Sequence, residues 1–389
     1  MKKKRVAIVT NAMMVGGIEK VLAEMLKVID LDTYDITLWL RAPGGAFTSI
    51  LPPNMRIKYW GSDDSKQVIF SLFRERKYLS LVRKIYYRLQ TRASANNWIR
   101  REFYTARAMN FCDKERYDCV IAYQGMSPGV IGTALYRFHA DKKIAWIHGE
   151  DAFPLEEVPF MEKEYKKFDY VFCVSNSARE IFRDRFNISP CAVGVFYNIV
   201  NEAEVVEKSK YQIEQLKSKS IVTVGRLAKE KGQDMIPHIA RLLLDAGYEI
   251  YWYVIGDGDL VERIREEIQK FNVEEHVILL GTKTNPYPYI RNCDIYVQTS
   301  YAEGWCMATQ EAKMLRKPIV TTNIAVMHEQ FESGKNGIIA DATSPESLFK
   351  GIKELLDSHE LCEKLVRNLD ASCYANENEL RKLYALIDD

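Results

Sequence analysis

Two glutamates separated by eight positions, Glu303 and Glu311, have a spacing that could serve ligand binding. A carboxylate accepts hydrogen bonds from hydroxyl groups, which sugars and riboses carry in pairs. Residues 305–308 lie between them and open a helix predicted from about Cys306 to Arg316, whose first amides could hold a phosphate. The pattern fits a sugar nucleotide held at both ends, and it fits equally a surface glutamate and a helix-capping glutamate.

Two basic residues, Arg226 and Lys231, follow the apolar run 220–224 in the second half of the chain. Arginine can form two parallel hydrogen bonds to phosphate oxygens, and lysine supplies a compact positive charge. Two such cations suit a diphosphate, whose charge they would neutralise as it departs from a sugar. Basic residues that are merely solvated would give the same local pattern.

Short apolar runs alternate with helical stretches along the chain, which predicts α/β domains with parallel sheets. In such domains ligands bind at the carboxyl ends of the strands, where the residues named above lie. The 389 residues, 47% of them hydrophobic, are enough for two domains. The predicted strands are 6–9, 35–40, 56–60, 117–123, 143–148, runs starting at 170 and 193, then 220–224, 249–255, 277–280, 295–297 and 319–322.

The stretch from Glu303 to Glu311 resembles the E-x7-E motif of retaining glycosyltransferases with the GT-B fold, family 4, and residues 225–232 resemble the family's G-R-x4-K-G segment. The resemblance covers most of residues 218–350 and, more weakly, 1–200. It implies two facing, Rossmann-like, doubly wound parallel-sheet domains. It also implies that Glu303 holds the donor hexose and Glu311 the nucleotide ribose.

Further positions take a role only from this resemblance. Gly16 and Gly17 correspond to a glycine pair that faces the donor phosphates and the acceptor, and are otherwise a tight turn. His148 ends a predicted strand where family members often place a histidine beside the donor sugar, whereas a lone histidine is usually structural. The residues expected to act in catalysis are Glu303, His148, Arg226 and Lys231. Those expected to bind the nucleotide sugar are Gly16, Gly17, Arg226, Lys231, Lys283, Glu303, Cys306, Met307, Ala308 and Glu311.

The chain departs from the family pattern beside the expected sugar pocket. After Glu303-Gly304 the family often has an aromatic residue, then glycine or proline, then leucine, whereas this chain has Trp305-Cys306-Met307. This leaves the identity of the hexose open. No metal or cofactor is expected, because the D-x-D sequence 257–259 opens a helix, where a turn and a helix N-cap account for it.

Composition limits the partners. The net charge of +1 gives no reason to expect a nucleic acid. The eight cysteines include no C-x-x-C pair and most lie in apolar runs, as in the reduced core of a cytoplasmic protein. No stretch approaches the ~20 apolar residues of a membrane span. We therefore expect a cytoplasmic location, peripheral on the inner face of the cell membrane if the chain binds lipid.

Residues 66–107 contain eleven basic and two acidic residues. Their apolar residues recur at helical spacing, which predicts amphipathic helices. Such helices could lie on an anionic membrane surface, and they could equally pack against the first sheet with their apolar positions in the core. The apolar positions are Leu72, Phe73, Leu79, Val82, Tyr86 and Leu89.

The first predicted domain, residues 1–200, binds the acceptor and is joined by the last helix at about 370–389. A linker follows at 201–218. The second predicted domain, residues 219–369, binds the nucleotide sugar. The expected reaction transfers a hexose from a nucleoside-diphosphate sugar, a UDP-hexose, to a hydroxyl of a glycan or lipid-linked saccharide, with retention, in capsule or other cell-surface polysaccharide synthesis. Two alternatives stay open: an enzyme resembling UDP-sugar 2-epimerases, and a non-catalytic sugar-nucleotide-binding subunit.

Overall fold

The computed structural model describes residues 3–14, 16–61, 78–109, 113–149, 153–189, 191–340, 344–369 and 377–389. The chain divides into two compact units, Met1–Ile199 with Glu377–Asp389, and Val200–Asn376. The predicted linker 201–218 falls within the second unit and includes the helix Glu202–Lys208. Residues 66–77 of the predicted basic region lie outside the described residues.

The first unit is built on seven parallel strands. They are β1 Lys4–Thr10, β2 Tyr34–Leu40, β3 Arg56–Tyr59, β4 Arg116–Ala122, β5 His139–Ile147, β6 Tyr170–Cys173 and β7 Ala192–Val195. The order across the sheet is β3-β2-β1-β4-β5-β6-β7. Central strands such as β1 are covered on both faces, so their apolar residues form continuous buried runs.

Helices cover the first sheet. The described α-helices are α1 Gly17–Val28, α2 Tyr78–Ala93, α3 Trp98–Ala108, α4 Pro128–Arg137, α5 Val158–Tyr165 and α6 Asn176–Arg185, and the chain returns with α15 Glu377–Asp388. Helix α15 is fixed to this unit because Tyr384 stacks on Tyr34 with ring centroids 4.6 Å apart. The carboxylate of Glu379 also accepts a 2.9 Å hydrogen bond from the backbone N–H of Tyr197.

The second unit repeats this plan with six parallel strands. They are β8 Ser220–Val224, β9 Tyr251–Ile255, β10 Val277–Gly281, β11 Ile295–Gln298, β12 Ile319–Thr322 and β13 Ile338–Ala340, in the order β10-β9-β8-β11-β12-β13. Its described α-helices are α7 Glu202–Lys208, α8 Ile236–Asp245, α9 Val261–Lys270, α10 Tyr287–Asn292, α11 Met307–Met314, α12 Ala325–Gln330, α13 Pro345–Asp357 and α14 His359–Arg367.

These two sheets confirm the predicted fold class. In each sheet the chain first adds strands towards one edge and then towards the other. The order reverses between β1 and β4 in the first sheet and between β8 and β11 in the second. The loops after such neighbouring strands diverge and leave a crevice at the carboxyl ends, which is where α/β sheets bind ligands. None of the described helices combines the length and the apolar composition that crossing a bilayer requires.

Candidate functional site

The crevice of the second unit lies between the loops that follow β8 and β11. Three hydrogen bonds hold these loops together. The backbone N–H groups of Tyr301 and Ala302 donate to the carbonyl of Glu230 at 2.8 and 3.2 Å, and the hydroxyl of Thr299 donates to the carbonyl of Lys231 at 2.8 Å. Two predicted site segments, distant in sequence, are thereby brought into direct contact.

Gly232 makes this contact possible. Its backbone has φ +62°, and a Cβ atom there would lie 2.3 Å from the carbonyl oxygen of Thr299. Only glycine satisfies both demands without moving the chain. The glycine that ends the G-R-x4-K-G segment is therefore explained by the close packing of the two loops.

Lys231 and Glu303 form a partly buried ion pair at this junction. The Lys231 Nζ atom lies 2.7 Å from Glu303 Oε2, and the two side chains are 22% and 8% exposed. Burial disfavours the charged form of the lysine, but the adjacent carboxylate outweighs it and raises the pKa of Lys231 above its ordinary value of 10.5. Lys231 therefore carries a positive charge throughout the neutral pH range.

Glu303 is also held from beneath by side chains of β11 and the residues after it. The Ser300 hydroxyl donates to Glu303 Oε1 at 2.7 Å. Gln298 Nε2 donates to the Ser300 oxygen at 2.8 Å, and the Tyr296 hydroxyl donates to Gln298 Oε1 at 2.8 Å. Tyr296, Gln298 and Ser300 are all buried, so this relay fixes the orientation of the carboxylate.

Helix α11 (Met307–Met314) begins where the sequence predicts it. Its N-cap, Cys306, is buried and has φ +56°, a left-handed conformation that costs energy for any residue except glycine. Cys306 therefore holds the start of α11 in a backbone conformation that favours glycine. Met307 and Ala308 are half-buried in the first turn, and the amides there lack helical partners.

Glu311, the predicted ribose holder, lies on α11 and is 2% exposed. Burial raises the pKa of Tyr296, and the carboxylates of Glu311 and Glu303 add to this effect. The neighbouring Gln310 is buried, and both polar atoms of its side chain lack a partner among the described residues.

Arg226 lies beside the site but outside the buried pair. Its guanidinium contacts Glu230 Oε1 at 2.6 Å, and its side chain is 71% exposed. Lys283 is exposed in the loop after β10, an edge strand three places from β11. Strands are about 4.8 Å apart, so this loop starts roughly 14 Å from the one that carries Glu303. Lys283 therefore lies at a different part of the sheet edge from Arg226 and Lys231, which both follow β8.

The D-x-D sequence forms a turn after β9, in which the Gly258 N–H donates to Asp257 Oδ1 at 2.8 Å. The predicted N-cap role is wrong, because α9 begins at Val261 with Leu260 as its cap and no side-chain bond. Within the described ranges, no group of three or more His, Cys, Asp and Glu side chains is arranged to hold a metal ion.

The first unit has its own polar cluster at its crevice. Gln124, after β4, accepts hydrogen bonds from the backbone and side chain of Asn11 at 3.0 and 2.6 Å and donates to Glu19 at 3.0 Å. Burial raises the pKa of Glu19 despite these bonds. Gly16 caps α1, and a Cβ atom there would lie 2.3 Å from Glu19 Oε2, whereas Gly17 faces open space.

His148 follows β5 at the same sheet edge. Its ring lies 4.5 Å from that of Tyr123 and stacks on Trp146 at 6.3 Å between centroids. Burial lowers the pKa of His148 to about 3, against the opposing effect of a hydrogen bond with the Tyr123 backbone. The imidazole is therefore neutral at pH 7, and its Nε2 atom lacks a partner among the described residues.

Sequence reasoning missed the residues that support the predicted ones. In the second unit these are Gln298, Ser300 and Glu230, and in the first unit Asn11, Glu19 and Gln124. One signal could have found several of them, because Asn11 comes directly after β1, and Gln124 and Ser300 come two residues after β4 and β11.

Comparison with known proteins agrees with this architecture. Residues 15–204 match the family model Glycosyltransferase Family 4, and residues 206–370 match Glycosyl transferases group 1. A 4-alpha-N-acetylgalactosaminyltransferase of Campylobacter jejuni, acting on N-acetylgalactosamine-N,N'-diacetylbacillosaminyl-diphospho-undecaprenol, is 30% identical over 199 residues. The match takes in 51% of this chain and 53% of that relative, about half of each.

Staphylococcus aureus CapM, a capsular polysaccharide biosynthesis glycosyltransferase, is 25% identical over 37% of this chain and 38% of its own length. Among solved structures, Anabaena HepE with UDP and glucose has a TM-score of 0.72 at 17% identity, covering 98% of this chain and 100% of its own. Staphylococcus aureus TarM has a TM-score of 0.72 at 14% identity, covering 100% and 99%. At these identities the structures show a shared fold. The two adjoining family matches and this fold show that the chain belongs to the GT-B glycosyltransferases of the family 4 type.

Proposed function

We propose that this chain transfers a hexose from a UDP-sugar to a hydroxyl of a glycan or lipid-linked saccharide. The observation that carries the proposal is the partly buried Lys231–Glu303 pair, at the crevice of the second unit beside the start of α11. It places a permanent cation and an oriented carboxylate side by side. A sugar diphosphate needs both, because its phosphates are anionic and its sugar offers hydroxyl donors.

The pair retains the capacity to bind a substrate. An ammonium group has three N–H donors, so Lys231 can keep its bond to Glu303 and still donate to a phosphate oxygen. Each carboxylate oxygen of Glu303 has two lone pairs. Oε1 accepts from Ser300 at 2.7 Å and weakly from Gln298 at 3.5 Å, whereas Oε2 pairs with Lys231, so Oε2 has room for a sugar hydroxyl. The geometry thus supports hexose binding by Glu303.

Charge stabilisation would drive the reaction. As the bond between the anomeric carbon and the diphosphate oxygen breaks, negative charge grows on the diphosphate. Lys231, the amides of 306–308 and, once released from Glu230, Arg226 would stabilise it. The acceptor oxygen forms the new bond to the anomeric carbon, on the same face as the departing group, and passes its proton to the leaving phosphate. We assign retention and metal independence from the family resemblance.

The other residues have supporting roles in this proposal. Glu311 would hold the ribose and Lys283 the base region, while Gly16 and Gly17 would face phosphates and acceptor. His148, being neutral, would exchange a hydrogen bond with a substrate hydroxyl without changing charge.

The names of the relatives and the ligands in the solved structures support the donor and the product class. HepE is described in complex with UDP and glucose, and TarM in complex with UDP and alpha-GlcNAc-glycerol. CapM is named for capsular polysaccharide biosynthesis, and the C. jejuni relative for a diphospho-undecaprenol acceptor. We infer a UDP-hexose or UDP-N-acetylhexosamine donor and a role in cell-surface polysaccharide synthesis.

The test incubates the purified chain with radiolabelled UDP-, GDP- and ADP-sugars, with and without a lipid-linked saccharide. Labelled saccharide formed only with a UDP-sugar supports the proposal. Epimerised UDP-sugar without an acceptor would identify an epimerase-like enzyme instead. Tight UDP-sugar binding without any turnover of the panel would identify a binding subunit.

A further inference from the structure

Helix α2 (Tyr78–Ala93) turns apolar side chains towards solvent. Leu79 is 89% exposed, Val82 64%, Ile85 44%, Tyr86 52% and Leu89 57%. At 3.6 residues per turn these positions form one stripe, roughly 120° wide, along the helix. Four of the six predicted apolar positions, Leu79, Val82, Tyr86 and Leu89, are therefore exposed rather than packed in the core, and Leu72 and Phe73 lie outside the described residues.

The opposite face of α2 anchors the helix to the first unit. Tyr87 stacks on Tyr104 of α3 with centroids 6.2 Å apart, and Lys84 is 3% exposed. Helix α3 in turn buries Ile99 and Phe103 in the core of the unit. Helix α2 therefore packs against α3 through the face that carries Lys84 and Tyr87, and its apolar stripe faces solvent.

Basic side chains flank the stripe. Arg83 lies along one margin, and Arg88 and Arg92 lie along the other. None of these three has an ion-pair partner among the described residues, and α2 contains no acidic residue. At the start of α3, Trp98 is 46% exposed, a residue type that favours the boundary between water and hydrocarbon.

We infer that the α2 face, defined by Leu79, Val82, Ile85, Tyr86 and Leu89 with the flanking arginines, binds an anionic lipid surface. An apolar stripe between basic margins is what an interfacial helix needs, since the stripe enters the headgroup region while the arginines meet phosphates. The positive charge selects an anionic bilayer as the occupant. This inference does not depend on the donor assignment.

The test is flotation of the full chain with vesicles of one-third phosphatidylglycerol and two-thirds phosphatidylcholine, against vesicles of phosphatidylcholine alone. One variant combines Leu79→Gln, Val82→Gln and Leu89→Gln, and a second combines Arg83→Gln, Arg88→Gln and Arg92→Gln. The matched control is Tyr211→Gln, which changes an exposed apolar residue of the second unit. Circular dichroism and UDP affinity, expected to be unchanged, show that each variant is folded.

The wild-type chain and the control should float with anionic vesicles, less so as salt is raised, and each triple variant should lose about tenfold in partitioning. The inference is overturned if the wild-type chain does not float with anionic vesicles. It is also overturned if the apolar variant binds these vesicles as well as the wild type does. Equal binding to both vesicle types overturns the anionic preference. If the wild-type chain forms a dimer and does not bind vesicles, and the apolar variant is a monomer, the α2 face binds a second copy of the chain instead of lipid.

Discussion

Lys231 Nζ lies 2.7 Å from Glu303 Oε2, although 72 positions separate the two residues in the chain. The contact joins the cation expected to hold the diphosphate to the carboxylate expected to hold the sugar. Because each is the counter-ion of the other, a change to either alters the charge of the whole site. The pair must therefore be tested as a unit.

Removing one partner of the pair should destabilise the second unit more than removing both. Lys231→Met leaves a buried carboxylate without its cation, a change that costs about 3 kcal/mol in buried pairs. The double variant Lys231→Met with Glu303→Gln removes both charges and should recover most of that loss. Urea unfolding of the single and double variants measures the free energy of unfolding. Equal free energies of unfolding for Lys231→Met and the double variant would contradict a penalty for the unpaired Glu303 carboxylate.

Glu303→Ala should lower turnover about 100-fold while UDP affinity changes by less than about threefold. The sugar loses its carboxylate, but Lys231 remains to meet the phosphates. Steady-state kinetics and UDP titration calorimetry separate the two quantities. Glu332→Ala, which changes an exposed glutamate of the same unit, is the control and should alter neither. Equal losses of turnover and UDP affinity would contradict the sugar-holding role.

Ser300→Ala should leave Glu303 in place but less firmly oriented. The hydroxyl at 2.7 Å fixes one carboxylate oxygen, so its loss should cut kcat about tenfold with little change in the donor KM. Ser300→Thr, which keeps the hydroxyl, should retain more activity. If donor KM rises and kcat is kept, Ser300 serves binding alone.

Glu230→Gln should tighten UDP binding roughly twofold, because an exposed ion pair of this kind is weak and its loss frees the Arg226 guanidinium. Arg226→Gln should weaken binding. Fluorescence or calorimetric titration with UDP distinguishes the cases. Weaker binding in Glu230→Gln would mean that Glu230 itself contacts the ligand.

His148 should make the first unit acid-sensitive. Its pKa is lowered to about 3 from the ordinary 6.5, so between these two pH values the imidazole is protonated in the unfolded chain but not in the folded chain. Stability therefore falls as the pH drops below about 6.5, and the loss continues towards about 3. Between pH 7 and about pH 4.5, Tm should fall less in His148→Gln than in the wild type. An equal fall in both would contradict the lowered pKa.

The sequence was sufficient for twelve of the thirteen described strands, because their apolar runs are bounded by glycine and polar residues, but it did not predict the short strand β13. It also located the start of α11 and the loop positions of Lys231 and Glu303. Their mutual contact could not be predicted, since the order of strands β8 and β11 in the sheet is a tertiary property that no local pattern encodes.

Two other features, the role of the turn at Asp257 and the direction in which the apolar stripe of α2 faces, could not be predicted from the sequence either. The turn at Asp257 looked like a helix cap, but the helix starts at Val261. The periodicity of α2 predicted an apolar stripe. The sequence pattern of such a stripe does not depend on whether it faces a core or solvent. Only the packing of Tyr87 on α3 decides that its apolar face points outward.

A crystal structure of the chain with a UDP-hexose would show directly whether the Lys231–Glu303 pair binds the donor. We expect a diphosphate oxygen within hydrogen-bond distance of Lys231 Nζ, near the first amides of α11, and sugar hydroxyls hydrogen-bonded to Glu303. A diphosphate bound elsewhere, with the Lys231–Glu303 pair untouched, would contradict this expectation.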